Sequence, residues 1–381
     1  MQDVFSKRVA IIADQMISMG GADREMFSIL KLFPNADIFT IAFNRKSYPY
    51  LKNTIHTSFV QKIPKPKSFY RHLKIFTPLV YESFDLRGYD LVISISAGPG
   101  KGVITGVHQP HIAMVMTPPR SLWDNELNVR GSRLSWVYRC ISLFLNTYMR
   151  IWDYTCSKRV DYWTANSKYI ARKIKKRYGV DSTVIYPGIP QSCFKCVSDR
   201  EIKNVRDRYQ LSDNFVLVVS RLYDYKRIDI AIRACINSGK ELVIVGTGPD
   251  MKYLKRISKG SSLVKFLGYI DSDEDVRILF HMADALLFCG VEDFGLVPVE
   301  SMAQGTPVIA YADGGVLETV QGGICGEFFN NEDELIEILK KFDKKRYNSN
   351  DIVNRAKMFT EDIFLSNLKE YIEKIYEKER V

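Results

Sequence analysis

Two doubly wound α/β domains in tandem are the fold that this sequence predicts. The length of 381 residues suggests two domains. Short β-branched runs alternate with helical patterns along the chain, as they do in parallel sheets covered by helices on both faces. The run Pro187-Gly188-Ile189-Pro190 interrupts this alternation near the middle. We therefore expect a first domain over 1–187, a second over 188–360 and a C-terminal segment over 361–381.

The strands of both domains can be assigned from continuous apolar runs bounded by turn residues. The first domain begins with a strand at Val9–Ala13, which leads into the glycine turn Gly20-Gly21 and then a helix. Its further strands are predicted at 37–43, 90–96, 112–116, 162–166 and 182–186. Those of the second domain are predicted at 215–219, 241–245, 264–267, 285–288 and 307–310. Ligands are expected beyond the carboxyl ends of these strands, in a cleft between the domains.

An amphipathic helix is predicted over about 360–378, where apolar residues recur at helical spacing. These residues are Phe364, Leu365, Leu368, Ile372 and Ile375. The pattern alone fits either a helix of the second domain or one that returns to the first.

Composition places the protein among ordinary globular chains, with 46% hydrophobic and 26% charged residues. No apolar run reaches the length of a membrane span, and the start lacks the apolar core of a signal peptide. The seven cysteines are scattered, which favours reduced thiols and a cytoplasmic location. Cys193 and Cys196 have no second pair or nearby histidine to complete a zinc site, so we interpret them as linker residues.

Charge is distributed unevenly between the two halves. Residues 1–190 hold 27 Lys and Arg against 13 Asp and Glu, whereas residues 191–381 hold 27 against 31. Basic clusters at 61–74, where cations alternate with aromatics, and at 171–177 predict an anionic membrane surface as partner. Solvated basic faces are the alternative. No nucleic-acid-binding motif accompanies the charge, so no nucleic-acid partner is expected.

The segment from Glu292 to Ala310 carries the most specific chemistry. Glu292 and Glu300 stand eight positions apart, with a glycine-containing loop and Pro298 between them. If Pro298 opens a helix, the loop before it presents backbone N–H groups and a positive helix end to an anion. One carboxylate beside that anion site and another in the first helical turn can bind sugar hydroxyls on both sides of a diphosphate.

This segment reads Glu-x-Phe-Gly-x4-Glu-x-Met-Ala-x-Gly-x-Pro-Val-Ile-Ala, with Gly314-Gly315 and Glu318 downstream. It resembles the donor-site signature of retaining glycosyltransferases of family 4. The resemblance implies the GT-B fold, in which two Rossmann-like domains with parallel sheets face each other across a cleft. It also implies that the C-terminal helix crosses back to the first domain.

Two cations follow the first predicted strand of the second domain. Arg221 offers a planar fork for phosphate oxygens, and Lys226 offers a compact charge. They match the family's Ser-Arg-x4-Lys motif, which implies that both bind the donor diphosphate and take part in catalysis.

The resemblance implies further roles for single residues. Glu300 would hold the donor ribose, and Glu292, the third catalytic residue, would contact hydroxyls of the transferred sugar. Other donor-binding groups would be the backbone around Phe294, Gly295 and Leu296, the loops at Gly246 and Gly268 beside the base, and the glycine loop Gly20-Gly21.

A second motif lies in the first domain. Thr117-Pro-Pro-Arg120-Ser-Leu-Trp123-Asp124 resembles a segment of bacterial O-antigen and capsule mannosyltransferases, which implies acceptor or cleft roles for Arg120, Trp123 and Asp124. That subgroup has His immediately before Thr-Pro, but this chain has Met116, which cannot relay a proton. His111 is no substitute, because five residues along a strand span about 17 Å.

No metal or other cofactor is expected, and the nucleotide sugar is a substrate. Asp271-Ser272-Asp273 imitates a metal motif, but its position before a helical pattern predicts an N-cap instead.

The sequence therefore predicts a retaining hexosyltransferase of cell-surface glycan synthesis, peripheral at the cytoplasmic membrane face. The expected donor is GDP-mannose, and the expected acceptor is a lipid-linked or polysaccharide saccharide. Another nucleotide hexose, carried by UDP or dTDP, is one alternative. A catalytically impaired nucleotide-sugar-binding or scaffold protein is the other, and Met116 motivates it.

Overall fold

The computed structural model describes residues 4–17, 20–62, 76–124 and 136–378. The chain divides into two compact units. The first unit comprises Met1–Tyr186 together with Phe364–Val381, and the second comprises Pro187–Ile363. Each unit is built on one parallel sheet.

The sheet of the first unit has seven strands in the order β3-β2-β1-β4-β5-β6-β7, and every described pairing is parallel. Its strands are β1 (Val9–Ala13), β2 (Asp37–Thr40), β3 (Ile55–Thr57), β4 (Leu91–Ser96), β5 (His111–Val115), β6 (Tyr162–Ala165) and β7 (Thr183–Val184). Its described helices up to the linker are α1 (Gly21–Leu32), α2 (Thr77–Glu82), α3 (Arg120–Trp123), α4 (Trp136–Cys156) and α5 (Lys168–Tyr178).

The sheet of the second unit has six parallel strands in the order β10-β9-β8-β11-β12-β13. These are β8 (Val216–Val219), β9 (Leu242–Val245), β10 (Val264–Gly268), β11 (Ala285–Phe288), β12 (Val308–Tyr311) and β13 (Gly326–Phe329). The helices are α6 (Asp199–Tyr209), α7 (Ile228–Ser238), α8 (Met251–Ile257), α9 (Asp273–Met282), α10 (Leu296–Ala303), α11 (Val316–Thr319), α12 (Glu332–Lys341), α13 (Ser349–Ala356) and α14 (Glu361–Lys378), the last of which continues into the first unit.

Both strand orders reverse at one point, between β1 and β4 in the first unit and between β8 and β11 in the second. Loops that leave neighbouring strands in opposite directions open a crevice at the carboxyl edge, where open α/β sheets bind ligands. Each sheet therefore offers one switch point, and both lie beside motifs that the sequence singled out.

The two-domain α/β prediction is confirmed, and every predicted strand is present with ends shifted by a few residues. The edge strands β3 and β13 were missed. β3 reads Ile-His-Thr and is partly exposed, and β13 begins with Gly326 and Glu327, so neither shows the apolar run used to assign the others.

The C-terminal helix packs on the first unit, as the GT-B fold predicts. Phe364, Leu368, Ile372 and Ile375 of α14 are at most 2% exposed and join the core around β1, β4 and α1. Tyr371 adds a hydrogen bond from its hydroxyl to the Trp163 carbonyl oxygen at 3.3 Å. The helix therefore joins the two ends of the chain in one core.

None of the described helices combines the length and the hydropathy that a bilayer-spanning segment requires.

A buried carboxyl group lies in the first turns of α1. Glu25 is 8% exposed, and its Oε2 atom has no hydrogen-bond partner within the described residues. Burial therefore raises the pKa of Glu25 to about 7. The neutral acid is the form that the fold accommodates.

Replacing Leu368 by Ala should lower the free energy of unfolding by about 3 kcal/mol, because a fully buried side chain leaves a cavity. Denaturant titration of the whole chain would measure the loss. Ile363→Ala, at a position 41% exposed on the same helix, is the matched control and should cost less than about 1 kcal/mol. Equal effects of the two substitutions would contradict the packing of α14.

The buried Glu25 should make stability fall as pH rises. Above the ordinary pKa of 4.5 the unfolded chain ionises this group while the folded chain keeps it protonated up to about 7. The accumulated loss is about 3 kcal/mol above pH 7. Glu25→Gln should therefore raise the melting temperature at pH 8 but not at pH 4.5, whereas Glu377→Gln, at an exposed site, should change neither. A stabilisation that does not depend on pH would contradict the assignment.

Candidate functional site

A recess opens at the switch point of the second sheet. It lies where β8 and β11 end, and it is closed by the turn that carries Lys226 and the loop that carries Glu292. Its lining residues are Val218, Val219, Ser220, Lys226, Ile228, Ala231, Leu287, Phe288, Cys289, Gly290 and Glu292. The two catalytic candidates that stand 66 positions apart in sequence thus meet in one place.

Lys226 and Glu292 form an ion pair that is largely withdrawn from solvent. The Lys226 side chain is 13% exposed and that of Glu292 is 21% exposed. The ammonium group also lies 4.9 Å from the ring centroid of Tyr225. Charges desolvated to this degree interact more strongly than surface pairs, so each fixes the position of the other.

Two glycines seat the Glu292 loop. Glu292 forms a parallel bridge with Gly314, and the Gly315 N–H donates to the Glu292 carbonyl oxygen at 2.8 Å. A Cβ atom on Gly314 would lie 2.4 Å from that oxygen, and one on Gly315 would lie 2.2 Å from the Asp293 carbonyl oxygen. Any larger residue would therefore displace the loop.

The loop enters α10 through a left-handed residue. Gly295 has φ +94° and precedes the helix, while the Phe294 side chain is 3% exposed and packs edge-on against Phe359 at 5.6 Å. The helix begins at Leu296, so the expectation that Pro298 opens it is wrong by two residues. Pro298 still falls in the first turn, where its missing N–H would have no intrahelical acceptor.

Glu300 is the fifth residue of α10 and lies in its second turn, not its first. The first-turn N–H groups, from Leu296 onward, lack intrahelical acceptors and stand at the positive end of the helix. That end of α10 follows directly on the loop that carries Glu292.

Arg221 follows β8 and is exposed. Its guanidinium lies 5.6 Å from the ring centroid of Tyr223 and donates to the Tyr225 hydroxyl at 3.4 Å. Sequence reasoning missed both tyrosines. Their alternation with Arg221 and Lys226 in one turn was the available signal, since tyrosine rings stack on guanidinium groups and hold them in place.

Gly246 and Gly268 meet at the far end of the same sheet edge. They lie at the carboxyl ends of β9 and β10, and the Gly246 N–H donates to the Gly268 carbonyl oxygen at 2.7 Å. Tyr269, which follows, is 72% exposed. The predicted loops are therefore adjacent, with an exposed aromatic ring beside them.

In the first unit the glycine loop opens α1. Gly20 is the N-cap residue, Gly21 is the first helical residue, and the Gly20 N–H donates to the Asp23 carboxylate at 2.7 Å. Nearby, Asp14 directly follows β1 and accepts hydrogen bonds from the Ser96 hydroxyl at 2.6 Å and the Ala97 N–H at 3.0 Å. Burial raises the pKa of Asp14. Sequence reasoning missed this carboxyl group at the switch point of the first sheet.

Met116 directly follows β5, and its side chain packs partly buried against the core. Its N–H donates to the Ser96 carbonyl oxygen at 3.1 Å, and its carbonyl oxygen accepts from Asn166 at 3.1 Å. His111 lies fully buried at the other end of β5, 2.9 Å from the Ser94 hydroxyl. Burial lowers the pKa of His111 to about 4, so this residue stays neutral inside the sheet.

Trp123 and Asp124 have their polar groups engaged within the first unit. The Trp123 indole donates to the Asp153 carboxylate at 2.8 Å, and the Asp124 carboxylate pairs with Lys173 at 2.7 Å. Arg177 donates to the Trp123 carbonyl oxygen at 3.1 Å. These contacts hold the end of α3 against α4 and α5, while Arg120 lies at the start of α3.

A buried network continues below Trp123. Asp153 is 1% exposed, pairs with Lys101, which is 3% exposed, and accepts from the Tyr178 hydroxyl at 2.8 Å. Buried charges are tolerated only when they are paired and hydrogen-bonded in this way. The network fixes the segment that bears Arg120.

The structure describes one of the two basic clusters in full and only the first residues of the other. Nearly all of 61–74 lies outside the described residues. The cluster at 171–177 lies on α5, as predicted, but three of its cations are paired: Lys173 and Arg177 with Asp124, and Lys175 with Asp181.

Two smaller sequence interpretations concern Ser272 and the cysteines. Ser272 caps α9 by accepting from the Asp275 N–H at 3.0 Å, which confirms the predicted N-cap. Cys193 lies in a short 3-10 turn of the linker, and six of the seven cysteines, all except Cys140, are shown as free thiols.

Two protein-family models match the chain. The model of glycosyltransferase family 4 matches residues 19–192, and that of glycosyl transferases group 1 matches residues 199–359. The first match contains the glycine loop and the Arg120 segment, and the second contains Arg221, Lys226 and Glu292.

Similar proteins include a sequence relative and two proteins of known structure. A D-inositol 3-phosphate glycosyltransferase of Mycobacterium tuberculosis is 31% identical over 168 residues, which are 41% of this chain and 35% of that protein. The chain thus matches about a third of the length of the curated relatives. HepE of Anabaena, solved with UDP and glucose, has a TM-score of 0.70 at 19% identity and covers 96% of this chain and 100% of its own. Sucrose-phosphate synthase of Thermosynechococcus elongatus has a TM-score of 0.73 at 16% identity and covers 98% and 100%.

The two solved structures are less than 20% identical to this chain, so they support only the fold. The two family models together match both halves of the sequence. The two matched segments, the motifs within them and the two parallel sheets identify the chain as a family 4-like member of the glycosyltransferases with the GT-B fold.

Proposed function

We propose that this protein transfers a hexose from a nucleotide diphosphate sugar to a saccharide acceptor with retention of anomeric configuration. The observation that carries the proposal is the Lys226–Glu292 pair at the switch point of the second sheet, with Arg221 five residues before Lys226 in the same loop after β8. A cation pair and a carboxylate at the carboxyl edge of a parallel sheet suit a sugar diphosphate.

Arg221 and Lys226 stabilise the charge that develops on the leaving diphosphate. In the transfer, the bond between the anomeric carbon and the phosphate oxygen breaks and a bond to the acceptor hydroxyl oxygen forms. The acceptor proton passes to the leaving phosphate, so no covalent enzyme intermediate is required. Glu292 keeps Lys226 extended into the recess before the donor binds and then accepts hydrogen bonds from hydroxyls of the transferred sugar.

The other donor contacts follow from the position of α10. The N–H groups around Phe294, Gly295 and Leu296 bind the sugar and diphosphate at the positive helix end, and Glu300 accepts from the ribose hydroxyls. The adjacent loops at Gly246 and Gly268 receive the base. The family resemblance also assigns the glycine loop Gly20-Gly21 of the first unit to donor binding.

The first donor to test is GDP-mannose, because the Thr117–Asp124 segment resembles that of mannosyltransferases. UDP-glucose is the second, because HepE was solved with UDP and glucose and its fold is similar. Met116, Arg120, Trp123 and Asp124 are assigned to the acceptor side of the site. No metal is required in this scheme, since the two cations meet the diphosphate.

The acceptor is a lipid-linked or polysaccharide saccharide, presented at an anionic membrane surface on the cytoplasmic face. The basic balance of residues 1–190, which is +14, supports this assignment. The name of one relative, D-inositol 3-phosphate glycosyltransferase, points instead to a phosphorylated small molecule as acceptor, so inositol phosphate belongs in the test.

A protein that binds nucleotide sugars without transferring them is the second candidate. Met116, in place of the histidine of the mannosyltransferase subgroup, favours it, because a thioether neither donates a hydrogen bond nor relays a proton. Such a protein would keep the Lys226–Glu292 recess and show saturable binding without turnover.

Donor turnover tests the proposal directly. The chain would be incubated with GDP-mannose, UDP-glucose, UDP-galactose or UDP-N-acetylglucosamine and with a membrane-lipid extract or inositol phosphate, and the released nucleotide measured. Turnover of one donor should fall about a hundredfold in Arg221→Ala and in Glu292→Ala, since each removes charge from the reacting centre. Arg206→Ala is the control: Arg206 lies on α6 and pairs with Asp213, so its removal should leave donor turnover unchanged.

Saturable nucleotide binding without turnover of any donor, on every acceptor offered, would support the binding-only candidate. Turnover that survives both Arg221→Ala and Glu292→Ala would contradict the site assignment itself.

The close packing of Gly315 against the backbone of the Glu292 loop gives a separate prediction. Gly315→Ala places a methyl group against the Asp293 carbonyl oxygen and should displace the loop, so turnover should fall at least tenfold. Gly106→Ala is the matched control, because its added Cβ meets only the Gln109 side chain, at 4.0 Å. Circular dichroism would verify that both variants are folded, and normal turnover by folded Gly315→Ala would disprove the role of the loop.

A further inference from the structure

The long helix α4 exposes an aromatic face. Over residues 143–156, the part of the helix whose side chains the structure describes, the exposed large side chains fall within one arc, at spacings of one, three and four residues. They are Leu143 (64% exposed), Phe144 (74%), Tyr148 (43%), Ile151 (63%) and Tyr154 (45%), and we call them the α4 face. The opposite arc is buried, with Met149, Trp152, Asp153 and Cys156 at most 9% exposed. The helix is therefore anchored on one side and leaves the other to solvent.

The exposed charges that adjoin the α4 face along the chain are of one sign. From Leu143 to Val160 the only acidic residue is Asp153, which is 1% exposed and paired with Lys101. Arg150 flanks the face, and exposed Lys158 follows the helix with its ammonium group 5.0 Å from the ring centroid of Tyr154. No exposed carboxylate borders the face within these residues.

This composition matches the interface of a bilayer. Leucine, isoleucine and phenylalanine side chains insert into the acyl boundary, tyrosines settle at the level of the headgroups, and lysine and arginine meet anionic lipid phosphates. The buried side of the helix carries the charged Asp153, and no described helix is long and apolar enough to span a membrane. A helix with one apolar face can instead lie in the membrane plane with that face in the bilayer interface.

A second copy of the chain is a poorer occupant. Aromatic side chains carry about 250 Å² each at most, so five side chains exposed by about half to three-quarters fall short of the about 800 Å² that each partner buries in a standard dimer. A twofold interface through this face would also bring Arg150 and Lys158 of both copies together, and residues 143–160 offer no exposed carboxylate to pair them.

We propose that the α4 face docks the protein on an anionic lipid bilayer, with the helix lying in the interface. The proposal rests on the proposed function for its purpose, since a lipid-linked acceptor is met at such a surface. It deepens that function by naming the membrane-binding element, which differs from the basic clusters at 61–74 and 171–177.

Vesicle co-sedimentation tests the proposal without any sugar donor, so its outcome does not depend on whether transfer occurs. The full chain would be mixed with vesicles of phosphatidylcholine alone or with about one-third phosphatidylglycerol. The variant Phe144→Ser/Ile151→Ser removes two apolar groups of the face. The control Val107→Ser/Ile324→Ser removes two exposed apolar groups from turns elsewhere.

The expected result is binding to the anionic vesicles that falls at least tenfold in Phe144→Ser/Ile151→Ser and stays unchanged in the control, with weaker binding to phosphatidylcholine. Equal binding of the face variant and the unsubstituted chain would overturn the proposal, as would no binding to either vesicle. Light scattering that shows a dimer of the chain, lost in the face variant, would also overturn it in favour of a second copy. The melting temperatures of both variants should match that of the unsubstituted chain, because the replaced side chains are exposed.

Discussion

The candidate site of the second unit depends on the ion pair between Lys226 and Glu292. Neither charge is fully solvated, and each stabilises the other in the folded chain. The pair joins the turn after β8 to the loop after β11, which are the two loops that diverge at the switch point of the sheet. In the proposed reaction the donor diphosphate meets a cation that Glu292 already holds in place, which lowers the cost of reorganising the site.

Glycines and aromatic rings determine where those charges can stand. Gly314 and Gly315 allow the loop of Glu292 to lie directly on the backbone, and Gly295 turns the chain into α10. Tyr223 and Tyr225 hold the side chain of Arg221, which is otherwise exposed to solvent. Only a few side chains carry the charges of the candidate site, and much of the surrounding motif serves to position them.

In the first unit, too, residues of a sequence motif serve to position their neighbours. Asp153, Lys173 and Arg177 bind the polar groups of Trp123 and Asp124. Two residues that the family resemblance suggests for the acceptor therefore also fix α3 to its neighbours. The same helix α4 that provides Asp153 on its buried side presents the α4 face on the other. One helix thus connects the buried network to the surface that we propose for the membrane.

The sequence by itself determined the fold class, the predicted strands, the terminal helix and the family, because apolar periodicity and contiguous motifs are local properties of the chain. It did not determine the edge strands β3 and β13, whose short sequences lack a continuous apolar run and become strands only beside a formed sheet. Pairings were also decided by tertiary structure: the sequence marked Lys226, Glu292, Lys173 and Asp124 as charged, but not which would meet. Those contacts join residues 49 to 66 positions apart, and only the packed sheets and helices bring them within bonding distance.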